Sequence, residues 1–260
     1  MVILGIIYTG SAASLKYEPV SVDLPLMNNS SNIEIMPKRS DAATMGGKEF
    51  LESLAGLSRS EADEAILAQL AAGNVPDFMR RLVPVSFSVS DNGTTKNITI
   101  LSLPDYFSIG SNDDFVRIPM HRELAERIAA SLSLSLPTPT IVDAIYEAAN
   151  VKLAPKSMGA KSLFEDAARH NREIEKQIAG TDFSAGRQSL LIAGHKKDIV
   201  WSESTPNNKE AIYGWHKLSG ERIQPLNKIH SRFYADYSHG LRLIASSAVV
   251  DGQEVMIEQK

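Results

Sequence analysis

Cysteine is absent from the 260 residues. Disulfide staples, thiolate metal sites, a cysteine nucleophile and iron–sulfur ligation are therefore excluded. A cationic surplus is also missing. Lys and Arg number 27 against 31 Asp and Glu, for a net charge of −4. Such a balance exerts no general pull on nucleic acid or an anionic membrane surface, so neither is expected as a partner. No run reaches the ~18 apolar residues of a spanning helix, so no transmembrane segment is expected. What remains is a globular composition, 43% hydrophobic and 22% charged. One large domain is the simpler expectation at this length.

The stretch Met1 to Tyr8 is apolar and precedes the small residues Thr9 to Ser14. A short apolar run before such a patch reads as the end of a secretory leader, although the basic flank is missing. The same residues also suit a buried first strand. We expect residues 1–14 to be a truncated signal peptide, and the protein to be exported, periplasmic or extracellular. They should then pack on nothing. Residues 15–46 are rich in Pro, Ser and Asn without a clear period, which suggests an extended or partly disordered arm.

Helical spacing begins near Gly47 with Phe50, Leu51, Leu54 and Leu57. A second helix is expected after a cap at Ser60, ending before Gly73. Val83, Val85, Phe87 and Val89 alternate with polar residues, as in a half-buried strand. Asp91-Asn92-Gly93 then signals a hairpin, with Ile98, Ile100 and Leu101 on the return strand. Helices are expected at roughly 121–133, 139–150 and 160–179, the middle one opened by Thr138-Pro139. Strands return at about 189–203, 209–218 and 232–250. Strands in runs, without βαβ alternation, predict a single α+β domain over 47–250, with helices packed on a mainly antiparallel sheet. Residues 251–260 read as a tail.

Six histidines are present, and four of them fall between 195 and 239. An even spread would put about one there. They sit in Gly194-His195-Lys196-Lys197-Asp198, in Tyr213-Gly214-Trp215-His216, at His230, and in Tyr234-Ala235-Asp236-Tyr237-Ser238-His239-Gly240-Leu241-Arg242. Three readings compete. His195, His216 and His239 could bind a metal such as zinc, with Asp198 or Asp236 beside them. No H-x-x-x-H pair is present, so these ligands would have to converge from separate strands. Alternatively His239 or His216 is a base oriented by Asp236 or Asp198, acting with Ser238 or a water. Neighbours on a regular strand face opposite ways, so Ser238–His239 and His195–Asp198 need a bulge to meet. The third reading is binding or packing alone: Tyr213, Trp215, Tyr234 and Tyr237 with Arg242 and Arg117 suit a carbohydrate by stacking and hydrogen bonding.

Other clusters are weaker. Asp105, Ser111, Asn112, Asp113 and Asp114 lack calcium-loop spacing and read as a polar turn. Arg80, Arg81, Arg117 and Arg242 suit surface salt bridges more readily than an anionic substrate. Gly46-Gly47-Lys48 lacks the spacing of a phosphate loop.

The stretches Gly73 to Pro76 with Phe78 and Arg80-Arg81, Pro104-Asp105-Tyr106, Ser111 with Asp113 to Arg117, Gly194 to Asp198, Tyr213 to His216, Gln224-Pro225-Leu226 and Tyr234 to Arg242 carry a resemblance. The chain resembles a group of uncharacterised, exported bacterial proteins over roughly residues 36–245. That likeness implies no mechanism. A fainter one is to cell-wall peptidases of the papain-like kind. They set a nucleophile at a helix N-terminus before a histidine-bearing antiparallel sheet, and that nucleophile is a cysteine, which is missing here. The combined expectation is a hydrolase acting on a cell-envelope or extracellular polymer. The alternative is a non-catalytic glycan- or peptidoglycan-binding protein. On the catalytic readings, His195, His216 and His239 should meet within about 10 Å around one cavity.

Overall fold

The computed structural model describes residues 35–40, 45–91, 94–159, 162–181, 190–257 and 259. The expected leader, most of the arm and the tip of the first hairpin lie outside these.

The chain opens with two helices, α1 (Gly47–Ser53) and α2 (Arg59–Ala71). The cap of α2 is Ser58, not Ser60: its side chain accepts from the Glu61 N–H while Glu61 reaches back to the Ser58 N–H. That reciprocal bonding satisfies two N-terminal donors at once, which a cap at Ser60 would not do here. A short 3-10 turn (Asp77–Arg80) leads into the long hairpin β1 (Val83–Asp91) and β2 (Thr94–Ser102). Val85, Phe87 and Val89 are buried on one face. On the other face, Ser86 meets Thr99 at 2.9 Å and Ser88 donates to Asn97 at 2.9 Å, directly across the register. The alternation thus fixes both sides of the ribbon.

The short pair β3 (Ser108–Gly110) and β4 (Phe115–Arg117) precedes α3 (Arg122–Leu132) and β5 (Leu134–Ser135). His121 caps α3: its Nδ1 accepts from the Leu124 N–H, so Nε2 carries the hydrogen that bonds Asp63 at 3.0 Å. Helix α4 (Pro139–Ala148) has Thr138 as its cap and Pro139 at its first position, as expected. Then come β6 (Val151–Lys152) and α5 (Leu163–Ala179), whose buried stripe includes Ala167, His170, Ile174 and Ile178.

Six strands follow: β7 (Ile192–Ala193), β8 (Lys197–Ile199), β9 (Ile212–His216), β10 (Arg222–Asn227), β11 (His239–Gly240) and β12 (Ile244–Val250). They are followed by β13 (Gln253–Met256), where a tail was expected. It pairs with β12, and Ile257 beyond it is buried.

The fold is α+β, with mainly antiparallel sheets. The first sheet runs β1-β2-β12-β13, with β5 on β12; the second runs β10-β9-β8-β11, and β3–β4 and β6–β7 form two-stranded pairs. The pairings β8–β11 and β6–β7 are parallel. The largest core cluster lies among α1, α2, α3 and the β3–β4 pair, and a second joins α4 to the first sheet. Met36, from the end of the expected arm, is buried in the first. No described helix is long and apolar enough to cross a membrane.

The second sheet carries the histidine-rich motifs and leaves little room between its strands and the core. A methyl group added to Gly240 would lie 2.6 Å from the Tyr106 ring and 2.7 Å from the Lys196 side chain, both fully buried. Gly240→Ala should therefore destabilise by about 1–3 kcal/mol in urea unfolding, the usual range for overpacking. Gly159→Ala, whose added methyl meets nothing within 4 Å, is the control. Equal unfolding midpoints for the two variants would contradict the packing described.

Candidate functional site

Three polar networks converge on the second sheet. The deepest is centred on Asp105, which is 1% exposed. Arg117 grips both of its oxygens, at 2.6 Å for the shortest contact, and also donates to Asn171 and Glu175 on α5. The His195 Nε2 bonds Asp105 at 3.1 Å. Burial alone would raise the Asp105 pKa, yet the Arg117 charge and the His195 bond hold it well below the usual range. Beside it, the Tyr106 hydroxyl donates to Asp198 at 2.7 Å. Arg242 lies over the Tyr106 ring and donates to the carbonyls of Leu103 and Ile192. Arg117 and Arg242, expected either in surface salt bridges or against a bound substrate, are thus buried and committed to internal partners. Burial pushes the Asp198 carboxyl up to about 6 and the Lys196 amine down to about 7. The Lys196 amine donates to the carbonyls of Tyr237 at 2.7 Å and His239 at 3.4 Å.

The second network is centred on Asp143, one turn into α4. It accepts from Tyr213, from His216 at 3.0 Å and from both arms of the Arg222 fork. Tyr213 and His216 are three apart, so a regular strand would aim them at opposite faces. Gly214 at φ +99° and Trp215 at φ +54° reset the strand between them, and both side chains reach one carboxylate. From the second turn of α4, Asp143 faces the sheet histidine His216. Its lone pairs are already engaged by four donor groups.

The third network differs in kind. Glu210, fully buried, has neither carboxyl oxygen in a hydrogen bond, and the His239 Nδ1 has no hydrogen-bond partner either. These two groups face each other at 3.5 Å. Burial raises the Glu210 carboxyl to about 8 and lowers the His239 imidazole to about 3. At neutral pH the pair is therefore a protonated acid against a neutral base. Around it stand Asp236, Lys197, and His230 stacked on Tyr234 at 4.2 Å. Tyr234 packs its edge on His239 at 5.7 Å and is 41% exposed, so it stands on the solvent side of the pair. Trp215 is half-buried, with Lys197 5.0 Å from its ring centre.

The site differs from the sequence expectation in several respects. His195, His216 and His239 do not share one centre: each faces a different carboxylate, Asp105, Asp143 and Glu210 respectively. Among the described residues no three His, Asp or Glu side chains are grouped to hold a metal ion. Asp198 orients neither His195 nor His216. Asp236 does not orient His239 through its carboxylate, which instead accepts the N–H and O–H of Ser238, both at 2.8 Å. Ser238 is thereby a turn anchor and not a partner of His239. Tyr237 is placed inward, where its hydroxyl accepts from the Met158 N–H and its ring meets His170. The turn reading of 111–114 agrees with the bond from the Asp114 N–H to Ser111, while Asp105 lies apart in the core. Glu210 and Asp143 escaped notice because neither stands beside a histidine in sequence.

No family model matches the chain, and searches of curated proteins and of solved structures return no match. The histidines generate a stability test of the geometry. His170, His195 and His239 are held neutral by burial down to about 2, 4 and 3. The unfolded chain protonates them below about 6.5, so their contribution is complete above that pH and is lost as pH falls. Glu210 and Asp198, raised by burial, act in the opposite sense, but they are two against three. The Tm should fall between pH 7 and pH 5. His170 is 1% exposed, with neither ring nitrogen bonded. His170→Phe should raise the Tm and flatten that fall. A variant that loses stability as steeply as the wild type would contradict the neutral assignment.

Proposed function

We propose that the protein is an exported hydrolase acting on a cell-envelope or extracellular polymer, with Glu210 and His239 as its proton-transfer pair. One observation carries this reading: a buried acid and a buried base, both without hydrogen bonds, face each other beneath a partly exposed aromatic rim. Leaving such groups unpaired costs about 1–3 kcal/mol each, a cost that persists in proteins mainly where the groups have work to do. Glu210 is the acid that gives a proton to the leaving group. The neutral His239 takes one from the attacking water and passes it to the now anionic Glu210 across their 3.5 Å contact, which restores the pair. Tyr234, Trp215 and Lys197 offer stacking faces and a cation to a polar chain. The pair lies beneath the His230–Tyr234 stack, so turnover requires that stack to move aside. The first apolar residues and the lack of cysteine support export.

A second reading, non-catalytic glycan binding, draws on the exposure of Phe233 and Tyr234, at 42% and 41%. The two are separated by release of soluble fragments from purified peptidoglycan sacculi and from soluble envelope glycans. On the catalytic reading Glu210→Gln, an isostere of the protonated acid, folds normally and loses about 10²–10⁴-fold in rate. Trp215→Ala weakens binding instead. Wild-type protein that binds these polymers without releasing fragments supports the binder. An unchanged rate in Glu210→Gln removes the acid from the mechanism.

A further inference from the structure

Between the Asp105 and Asp143 networks lies a small cavity of about 10 Å³ whose walls include Asp198, Arg242, His216 and Tyr106, with Ala193 and Val142 as apolar wall. Asp198 is 2% exposed. Its two oxygens are treated unequally. Oδ2 accepts from the Tyr106 hydroxyl at 2.7 Å. Oδ1 has no hydrogen bond. The nearest cation, Arg242 Nε, stands 3.9 Å from Oδ1, beyond hydrogen-bond reach but a separation that one bridging molecule spans.

Three features define the occupant. It must donate to a carboxylate oxygen. It can accept from the Arg242 guanidinium on the facing wall. It must fit a space of roughly one water probe, the ~10–15 Å³ at which a polar cavity begins to hold water. An apolar guest would leave Oδ1 bare, and an anion would repel it. We propose that this cavity is a binding site for a single water molecule, held between the Asp198 carboxyl and the Arg242 guanidinium. The site excludes substrate by size. It assigns His216 and Asp198, both expected as catalytic, to a hydrated internal joint between α4 and the second sheet. The inference does not depend on the Glu210–His239 reading.

A crystal structure that shows ordered waters tests it directly. The expected result is one density peak within about 2.6–3.2 Å of Asp198 Oδ1. Oxygen-17 relaxation dispersion counts the long-lived internal waters in solution, where wild type should hold one more than Asp198→Leu, which removes the acceptor. No peak beside Oδ1, or Arg242 in direct contact with Oδ1, overturns the proposal. An equal count in the two proteins does so as well. If Asp198→Leu does not fold, the wild-type density alone decides.

Discussion

A carboxylate removed from water must be compensated by a cation and hydrogen bonds, or give up its charge. The middle of this molecule is organised by that constraint. Asp105 has Arg117 and His195. Asp143 has Arg222, Tyr213 and His216. Asp63 has His121. Each pairing ties together elements far apart in sequence: the segment before β3 to β4 and the turn between β7 and β8, α4 to β9 and β10, and α2 to the cap of α3. Loss of Arg117 would leave the buried Asp105 charge without its cation, at a cost of about 3–5 kcal/mol. Glu210 has no such compensation among the described residues. Its one ion-pair contact among the described residues is an imidazole equally deprived of water, and the Lys197 charge nearby does not offset the effect of burial. The proposed chemistry is placed at this acid, which gives up its charge where Asp105 and Asp143 keep theirs.

Backbone geometry decides which side chains can meet. Gly194 at φ +99° opens the turn before His195, and the Gly214–Trp215 pair resets β9. Glycine adopts such angles freely, whereas Trp215 does so at some cost in strain. Without the reset, Tyr213 and His216 would point apart and Asp143 would lose one of them. The parallel pairing of β11 on β8 then places His239 opposite Lys197, while the buried Lys196 amine holds the carbonyls of Tyr237 and His239.

Much of the fold was legible because its signals are local. The Val85-Phe87-Val89 alternation, the Thr138-Pro139 cap and the amphipathic stripe of α5 each declare an element within a few residues. The short strands β7, β8 and β11 are held by long-range pairing, so their bounds could not be read locally. The candidate site was legible in part. Crowding of histidines between 195 and 239 pointed to the sheet on which the three networks converge, and His239 belongs to one of them. The partners were not legible, because Asp105, Asp143 and Glu210 reach their histidines across 90, 73 and 29 positions respectively. The three histidines also looked alike in sequence. Only the folded chain separates two with charged, well-bonded carboxylates from one facing a protonated acid.

The central claim is the ionisation state of Glu210. Its carboxyl carbon can be followed through a pH titration by carbon-13 NMR on protein labelled at glutamate, with the Glu210→Gln spectrum assigning the resonance. The account predicts a midpoint near 8, set by burial. A midpoint near the ordinary glutamate value of 4.5 would mean a charged, solvated carboxylate, and would contradict the acid–base pair on which the functional reading stands.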